Sequence, residues 1–263
     1  MKRFNKSKRK VIVAIAQITY FDSGEKHNVD KIKKYISLAS MKGAEIVCFP
    51  ESCIHKDDVL QFSSKLLKEI QESCKENKIY CIVTDAFKEK GKNYKIALLI
   101  DRRGNIISKY KKINIYDDYV YSGKKINVIK TDFAKIGIVV CWDLAFPSLF
   151  NRMKEKGAEI VFCPSQWAYE SKVHGKNGKE KELKLMKSLL QSRAFENLYF
   201  VAIADPVIPN RKDVIAYSAI AGPHSILNEI KDKEGIITAD LNLEELKKWK
   251  KFYPNKKRTH SLG

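Results

Sequence analysis

Cys141 stands where a long apolar run of the sequence gives way to polar and aromatic residues. The run KIGIVVC ends at this cysteine, and the segment WDLAFP follows at once. Because the carboxyl end of a buried strand presents side chains to a crevice, a thiol at this place is a candidate nucleophile. The competing interpretation is that Cys141 is simply a small buried hydrophobic residue, as free cysteines often are. The position alone leaves both interpretations open.

A thiol nucleophile needs a base, and the sequence offers a glutamate at an equivalent place. Glu51 follows the apolar segment AEIVCFP, immediately beyond another predicted strand, whereas no histidine has such a position. An apolar neighbourhood raises the pKa of a carboxyl group and makes it a usable base near neutral pH. The alternative is an ordinary exposed loop glutamate.

Two consecutive lysines form the third candidate group. Lys111 and Lys112 end the segment NIISKYKK, which reads as a strand. Successive side chains of a strand point to opposite faces, so we expect one lysine to point inward and the other to reach solvent.

Alternating strand and helix patterns must position these residues, and they predict an α/β fold with mixed sheets. Turns at DRRG, where Gly104 supplies the unusual backbone angles, and at TDFA predict antiparallel pairs. The lysine-rich and glycine-rich stretch SKVHGKNGK predicts a mobile surface loop. We expect one domain over residues 1–263, with about twelve strands at most and a polar tail over about 254–263. The predicted strands are VIVAIAQI, AEIVCF, IYCIVTDAF, YKIALLI, NIISKYKK, INVIK, KIGIVVC, AEIVFC, LYFVAIAD, VIAYSAIA and GIITADL; the predicted helices are one that Asn28 caps and Gly43 ends, one over about 59–77, one that Pro147 opens, one over about 180–197 and EELKKWKKF.

The sequence also repeats one of its own elements. KGAEIV begins at Lys42 and again at Lys156, and a proline follows both copies at the same offset. We interpret the copies as helix-glycine-strand units at corresponding places in two sheets. Each unit would deliver the residues after its proline, Glu51 in one and Ser165 in the other, to a shared crevice.

Composition narrows the class of protein. The chain has 263 residues, 44% of them hydrophobic, which suits a globular domain with a large core. It has no apolar run of the roughly 20 residues that cross a bilayer, so we expect no membrane partner. The six cysteines form no C-x-x-C pair, and neither they nor the five histidines have the spacing of zinc ligands. We therefore expect a soluble, cytoplasmic protein without a bound metal.

The formal net charge of +19 raises the question of nucleic acid binding. Glutamates stand among the lysines along predicted helical faces and loops, and no known nucleic-acid-binding module accompanies them. A lysine-rich solvated surface is the interpretation we prefer.

Taken together, the three segments resemble the signature blocks of the nitrilase, or carbon-nitrogen hydrolase, superfamily. The blocks are FPES with Glu51, YKKINIY with Lys112 and CWDLAFP with Cys141. Two further segments also match: GAEIVFCPSQW, and a helix end with an Arg-Ala-x-Glu-Asn pattern formed by Arg193, Ala194, Glu196 and Asn197. The resemblance covers roughly 11–241.

The resemblance implies a Glu-Lys-Cys triad of Glu51, Lys112 and Cys141. It favours Lys112 over Lys111 because the family's lysine stands two places before a histidine, which is Asn114 here. That departure is expected to loosen the lysine, and a second departure, Ser148 in place of the family's glutamate, is expected to affect a structural contact. A supporting acid of the family is matched to Asp118, with Asp117 as the alternative.

The resemblance further implies the fold and the reaction. The family fold is a four-layer αββα sandwich, two mixed β-sheets with helices on the outer faces, and members commonly form homodimers or larger homo-oligomers. The implied reaction is hydrolysis of a small amide or N-carbamoyl substrate through a cysteine thioester, without a cofactor. A nitrilase, or a degenerate member that only binds, is the alternative. The residues expected at the oxyanion and substrate pocket are Trp142, Ser165, Gln166 and Trp167.

Overall fold

Two six-stranded mixed sheets form the centre of the fold in the computed structural model, which describes residues 10–21, 24–56, 58–116 and 119–253. Among the expected features, the tail over 254–263 and the pair Asp117 and Asp118 lie outside these residues. The first sheet contains β1 (Lys10–Gln17), β2 (Ile46–Cys48), β3 (Tyr80–Glu89), β4 (Lys92–Ile100), β5 (Ile106–Lys111) and β12 (Gly235–Asn242). The second contains β6 (Val128–Lys130), β7 (Lys135–Ile138), β8 (Ile160–Pro164), β9 (Phe200–Ala204), β10 (Tyr217–Ala221) and β11 (Ile226–Lys231).

The two sheets have the same pairing pattern. The first has the order β12-β1-β2-β3-β4-β5 and the second the order β6-β7-β8-β9-β10-β11. In each sheet the third strand of this order lies between two parallel neighbours, and the other pairs are antiparallel. β2 and β8 are therefore equivalent, and they are the strands of the two KGAEIV copies. The prediction that the copies occupy corresponding places in two sheets is confirmed.

Helices cover the outer faces and complete the expected four-layer sandwich. α1 and α2 pack on the first sheet, α5 packs on β9 and β10 of the second, and α3 contacts α5. The helices are α1 (Val29–Met41), α2 (Lys65–Glu76), α3 (Pro147–Glu155), α4 (Ser171–His174), α5 (Gly178–Asn197) and α6 (Leu243–Phe252), with a 3₁₀ turn over Cys141–Ala145.

The alternation of β1 explains why its residues suit this architecture. Val11, Val13 and Ile15 face the second sheet, whereas Ala14 and Ala16 face the helices. Since neighbouring residues of a strand point to opposite faces, a strand buried on both faces must be apolar throughout. The apolar run VIVAIAQI predicts a strand for that reason, and the structure confirms it.

Several boundaries differ from the predictions. The helix expected over about 59–77 begins only at Lys65, where the Ser64 hydroxyl accepts a hydrogen bond from the amide of Leu67. The preceding residues follow the first sheet instead, since Leu60 forms a bridge with Phe87. Asn28 does precede α1, but its side chain makes no capping bond and donates to the carbonyl of Cys53.

Two further differences concern the second half of the chain. The stretch SKVHGKNGK, predicted to be a loop, contains α4 and the start of α5 at Gly178. β11 was missed, because half of its residues are exposed and its pattern lacks a continuous apolar run. Within the described ranges, no helix is both long and apolar enough to cross a membrane.

Candidate active site

A buried ion pair joins the ends of two strands of the first sheet. The Nζ of Lys112 donates to Oε1 of Glu51 at 2.9 Å, and both residues are buried. Lys112 lies directly after β5, where its amide donates to the carbonyl of Lys95 and its carbonyl accepts from the amide of Gly123. Burying two charges is costly unless they are paired, so each holds the other in a defined place.

Lys111 points the other way, as the alternation of the strand predicted. Its ammonium forms an ion pair with Glu89 and lies 3.7 Å from the ring centre of Tyr94. The inward lysine is therefore Lys112, the residue that the family resemblance favoured.

Cys141 opens the 3₁₀ turn that follows β7. Its φ of +47° lies in the left-handed region, which is strained for a residue with a Cβ atom. Burial, followed by the charge of Glu51, raises the pKa of its thiol to about 12. The charge of Lys112, the backbone N–H of Gln166 and the hydroxyl of Ser165 oppose that rise. At neutral pH the thiol is protonated and needs a base.

Asp143 ties the lysine segment to the cysteine turn. Its carboxylate accepts hydrogen bonds from the hydroxyl of Tyr110 at 2.8 Å and from the amide of Val140 at 3.1 Å. It also accepts from the backbone and side-chain nitrogens of Asn114, at 2.8 and 2.9 Å. The side-chain amide of Asn114 thus donates to a buried carboxylate, and the expectation that this departure loosens the lysine stays a prediction. Ser148, the second departure, is exposed at the start of α3.

The two repeated segments meet at their ends. The amide of Glu51 donates to the carbonyl of Ser165 at 3.0 Å, and the amide of Ser165 donates to the carbonyl of Ala204 at 2.7 Å. These bonds bring the residues after both prolines to one place, as the repeat predicted.

Two tryptophans lie side by side next to Cys141. The ring centres of Trp142 and Trp167 are 5.6 Å apart; Trp142 is 39% exposed, whereas Trp167 is buried. The indole of Trp167 donates to Glu182, and a second oxygen of Glu182 lies 2.6 Å from Nε2 of His174. Gln166, half-buried, precedes Trp167. These contacts fix an aromatic wall, one side of which is open to solvent.

Sequence reasoning missed two buried ionisable residues near Glu51 and Cys141. Lys95, on β4, is 3% exposed and donates to the hydroxyl of Ser52 at 2.7 Å and to that of Tyr119 at 3.1 Å. Asp205 follows β9 and has no exposed surface. The sequence offered a signal for each residue. Lys95 stands inside the apolar segment YKIALLI, and Asp205 directly follows LYFVAIA.

A cavity of about 340 Å³ opens beside the Glu51 segment, and Ser52, Lys95 and Tyr119 are among its lining residues. Lys95 carries a positive charge that the carboxylates of Glu51 and Asp85 favour. Across the described ranges, no three His, Cys, Asp or Glu side chains are grouped so that they could hold a metal ion.

Several known proteins resemble this chain in sequence and in fold. The family model described as carbon-nitrogen hydrolase matches residues 12–251. The omega-amidase NIT2 of Xenopus tropicalis is 24% identical in an alignment 261 residues long, and the alignment covers 89% of this chain and 90% of that protein. The deaminated glutathione amidase of Synechocystis sp. (strain PCC 6803 / GT-S) is 26% identical over 258 residues, covering 87% and 90%. The crystal structure of Saccharomyces cerevisiae Nit3, described as a member of the nitrilase superfamily, shares the fold with a TM-score of 0.81 at 20% identity, over 96% of this chain and 97% of that one.

Proposed function

Since the chain belongs to the carbon-nitrogen hydrolase family, we propose that it hydrolyses a small amide to an acid and ammonia or an amine through a thioester on Cys141. The observation that carries the proposal is the buried pair of Lys112 and Glu51, 2.9 Å apart, whose charges both act on the Cys141 thiol. A thiol, a carboxylate base and an ammonium are the groups that acyl transfer to sulfur requires.

The first step is activation of the thiol. Glu51 accepts the proton of Cys141 as the sulfur attacks the amide carbon, because a thiol with a pKa of about 12 is not ionised beforehand. Lys112 makes this transfer possible, since its charge stabilises the thiolate while Glu51 becomes neutral.

The second step is formation and collapse of a tetrahedral anion. The ammonium of Lys112 and a backbone N–H, that of Trp142, donate to its oxygen. In a site shielded from water, one such donor lowers the activation free energy by about 3 kcal/mol. Glu51 then gives its proton to the leaving nitrogen as the C–N bond breaks, which leaves a thioester.

The third step is hydrolysis of the thioester. Glu51 takes a proton from a water molecule, the hydroxide attacks the acyl carbon, and a second tetrahedral anion forms on the same donors. Its collapse breaks the C–S bond and returns the proton to Cys141, so that the acid leaves and the enzyme is restored. These steps use side chains and water alone.

We propose amides rather than nitriles as the substrates. The relatives described above are named omega-amidase and deaminated glutathione amidase, which supports an amide at the end of a small acid. N-carbamoyl compounds remain within the proposal, since their reacting carbon is also an amide carbonyl. In this proposal Trp142, Gln166 and Trp167 contact the substrate and Ser165 lies beside the thiol.

Other features of the family resemblance remain predictions. They are a single catalytic domain over 1–263, assembly into a homodimer or larger homo-oligomer, a cytoplasmic location, and support of the triad by Asp118 or Asp117.

The proposal is tested by ammonia release from a panel of ω-amides, N-carbamoyl amines and nitriles, with Cys141→Ala as the control. We expect release from at least one amide, with the matching acid as product, and none from the variant. Release from nitriles alone, or from no compound, would overturn it; in the latter case a degenerate, non-catalytic member is the better account.

A further inference from the structure

We propose that Asp205 is a positioning residue of this site: acting through the Ser165 hydroxyl, its carboxyl group supports the ionised form of Cys141. The proposal rests on the function proposed above but concerns a carboxyl group that those steps do not use. It makes Asp205, in its neutral form, the far end of a hydrogen-bonded line that reaches the sulfur through the Ser165 hydroxyl.

The Asp205 carboxyl group is held at one oxygen only. Oδ1 accepts a hydrogen bond from the amide of Trp167 at 2.7 Å, and the Asp205 amide donates to the hydroxyl of Ser218 at 2.8 Å. Oδ2 is buried and has no hydrogen-bond partner among the described residues. An unpaired buried polar atom is rare and needs an explanation.

The Ser165 hydroxyl has the same property. The main chain of Ser165 is fixed by hydrogen bonds to Glu51 and Ala204. The Oγ atom of Ser165, however, is buried and makes no well-aligned hydrogen bond within the part of the chain that the structure describes. It nevertheless lies close enough to Asp205 and to Cys141 to lower the pKa of each. Two unpaired buried groups therefore lie next to each other, and one of them is beside the nucleophile.

The protonation state of Asp205 decides where the Ser165 proton goes. A neutral carboxyl group donates to Ser165 Oγ, which leaves the hydroxyl proton free to be donated to the thiolate of Cys141. An ionised carboxylate only accepts, so it takes the hydroxyl proton for itself. The line to the sulfur is then broken.

Asp205 is neutral over part of the physiological range. Burial raises the pKa of its carboxyl group to about 7, and the charge of Glu51 acts in the same direction. The amides of Trp167 and Tyr217 and the Ser165 hydroxyl oppose the rise. Among the described residues Tyr20 also faces it, and burial, followed by nearby acidic groups that include Asp205, raises the pKa of the Tyr20 hydroxyl.

The test is the rate at which iodoacetamide alkylates Cys141, followed by mass spectrometry between about pH 6 and pH 9. Asp205→Asn keeps the acceptor for the Trp167 amide and places a permanent donor at the position of Oδ2. We expect this variant to match wild type at low pH and to react about tenfold faster above pH 7, where wild type has lost the donated proton.

Ser165→Ala supplies the matched control. With the hydroxyl removed, adding Asp205→Asn should no longer change the pH dependence of alkylation. Ser165→Ala alone should slow alkylation most below pH 7. The pH dependence of Ser165→Ala alone keeps the proposal testable even if Asp205→Asn folds poorly.

Superimposed curves for wild type and Asp205→Asn would overturn the proposal. A pH-dependent effect of Asp205→Asn that persists without the Ser165 hydroxyl would also overturn it, because the carboxylate would then act through space alone. Alkylation needs no substrate, so these outcomes are distinct from failure of the proposed function, which is absence of turnover on every amide.

Discussion

The amide of Glu51 donates a hydrogen bond to the carbonyl of Ser165 at 3.0 Å, and these residues hold the same position in the two KGAEIV copies. The contact joins the carboxyl ends of β2 and β8, the equivalent strands of the two sheets. The copies therefore share a scaffold and differ in chemistry. One ends in the carboxylate that pairs with Lys112, and the other in a hydroxyl beside Cys141.

Removing Lys112 should have a far larger effect than removing Lys111. Lys112→Ala deletes the proposed oxyanion donor and leaves the Glu51 carboxylate buried without its partner. We expect kcat to fall by about 100- to 1000-fold and the free energy of unfolding to fall by about 3–5 kcal/mol. Lys111→Ala removes a partly exposed ammonium paired with Glu89, so its kcat should stay near that of wild type. Steady-state kinetics measures kcat, and urea unfolding measures the free energy of unfolding. A larger loss of kcat in Lys111→Ala than in Lys112→Ala would refute the assignment of Lys112.

Replacing Glu51, the proposed base, with its neutral isostere in Glu51→Gln should abolish proton transfer while keeping the shape of the site. The new side chain retains a carbonyl oxygen that can still accept from Lys112, so the circular dichroism spectrum should be unchanged. We expect kcat/KM to fall by about 100- to 10,000-fold, since a positioned base contributes that much. Turnover within about tenfold of wild type would show that another group accepts the thiol proton.

The carboxylate of Asp143 should be necessary for both stability and activity. Asp143→Asn places an NH₂ group against donors that now bind the carboxylate, among them the amide of Val140. We expect a loss of about 1–3 kcal/mol in the free energy of unfolding and slower turnover, because the turn that starts at Cys141 shifts. Asp132→Asn is the control: Asp132 pairs with Arg102 at the surface, so its loss should cost less than about 1 kcal/mol. Equal effects of the two substitutions would contradict the assigned role.

Stability should depend on pH through Asp205. The unfolded chain releases this proton near pH 4, whereas the folded chain releases it at about 7 because the group is buried. At this group the folded state binds more protons between these values, so the contribution of Asp205 to stability should fall as the pH rises from about 4 to about 7. Asp205→Asn lacks this group. The difference in free energy of unfolding between the variant and wild type should therefore shift in favour of the variant over the same window, by about 2–4 kcal/mol. Urea unfolding at both ends of the window measures the difference, and a constant difference would contradict the prediction.

The sequence predicted those parts of the site that depend on local pattern. Glu51 and Cys141 were selected as candidates because each follows an apolar run. The strand alternation predicted one inward and one outward lysine, and the family resemblance favoured Lys112 as the inward one. Asp205 carries the same signal after LYFVAIA but has no counterpart in the motif blocks.

The contacts of Asn114 could not be predicted, because its partner Asp143 is 29 residues away and the fold alone brings them together. The same holds for Lys95, whose burial depends on Ser52 and Tyr119 from other segments. β11 escaped prediction for a different reason, since one face of this edge strand is polar.

The central claim is that Cys141 carries the acyl group. Intact-protein and peptide mass spectrometry of wild type, quenched during turnover of an amide, should show an adduct with the mass of the acyl group on Cys141. Cys141→Ala should show neither the adduct nor ammonia release while keeping the wild-type circular dichroism spectrum. Continued amide hydrolysis by folded Cys141→Ala, or an adduct on a different residue, would contradict the account.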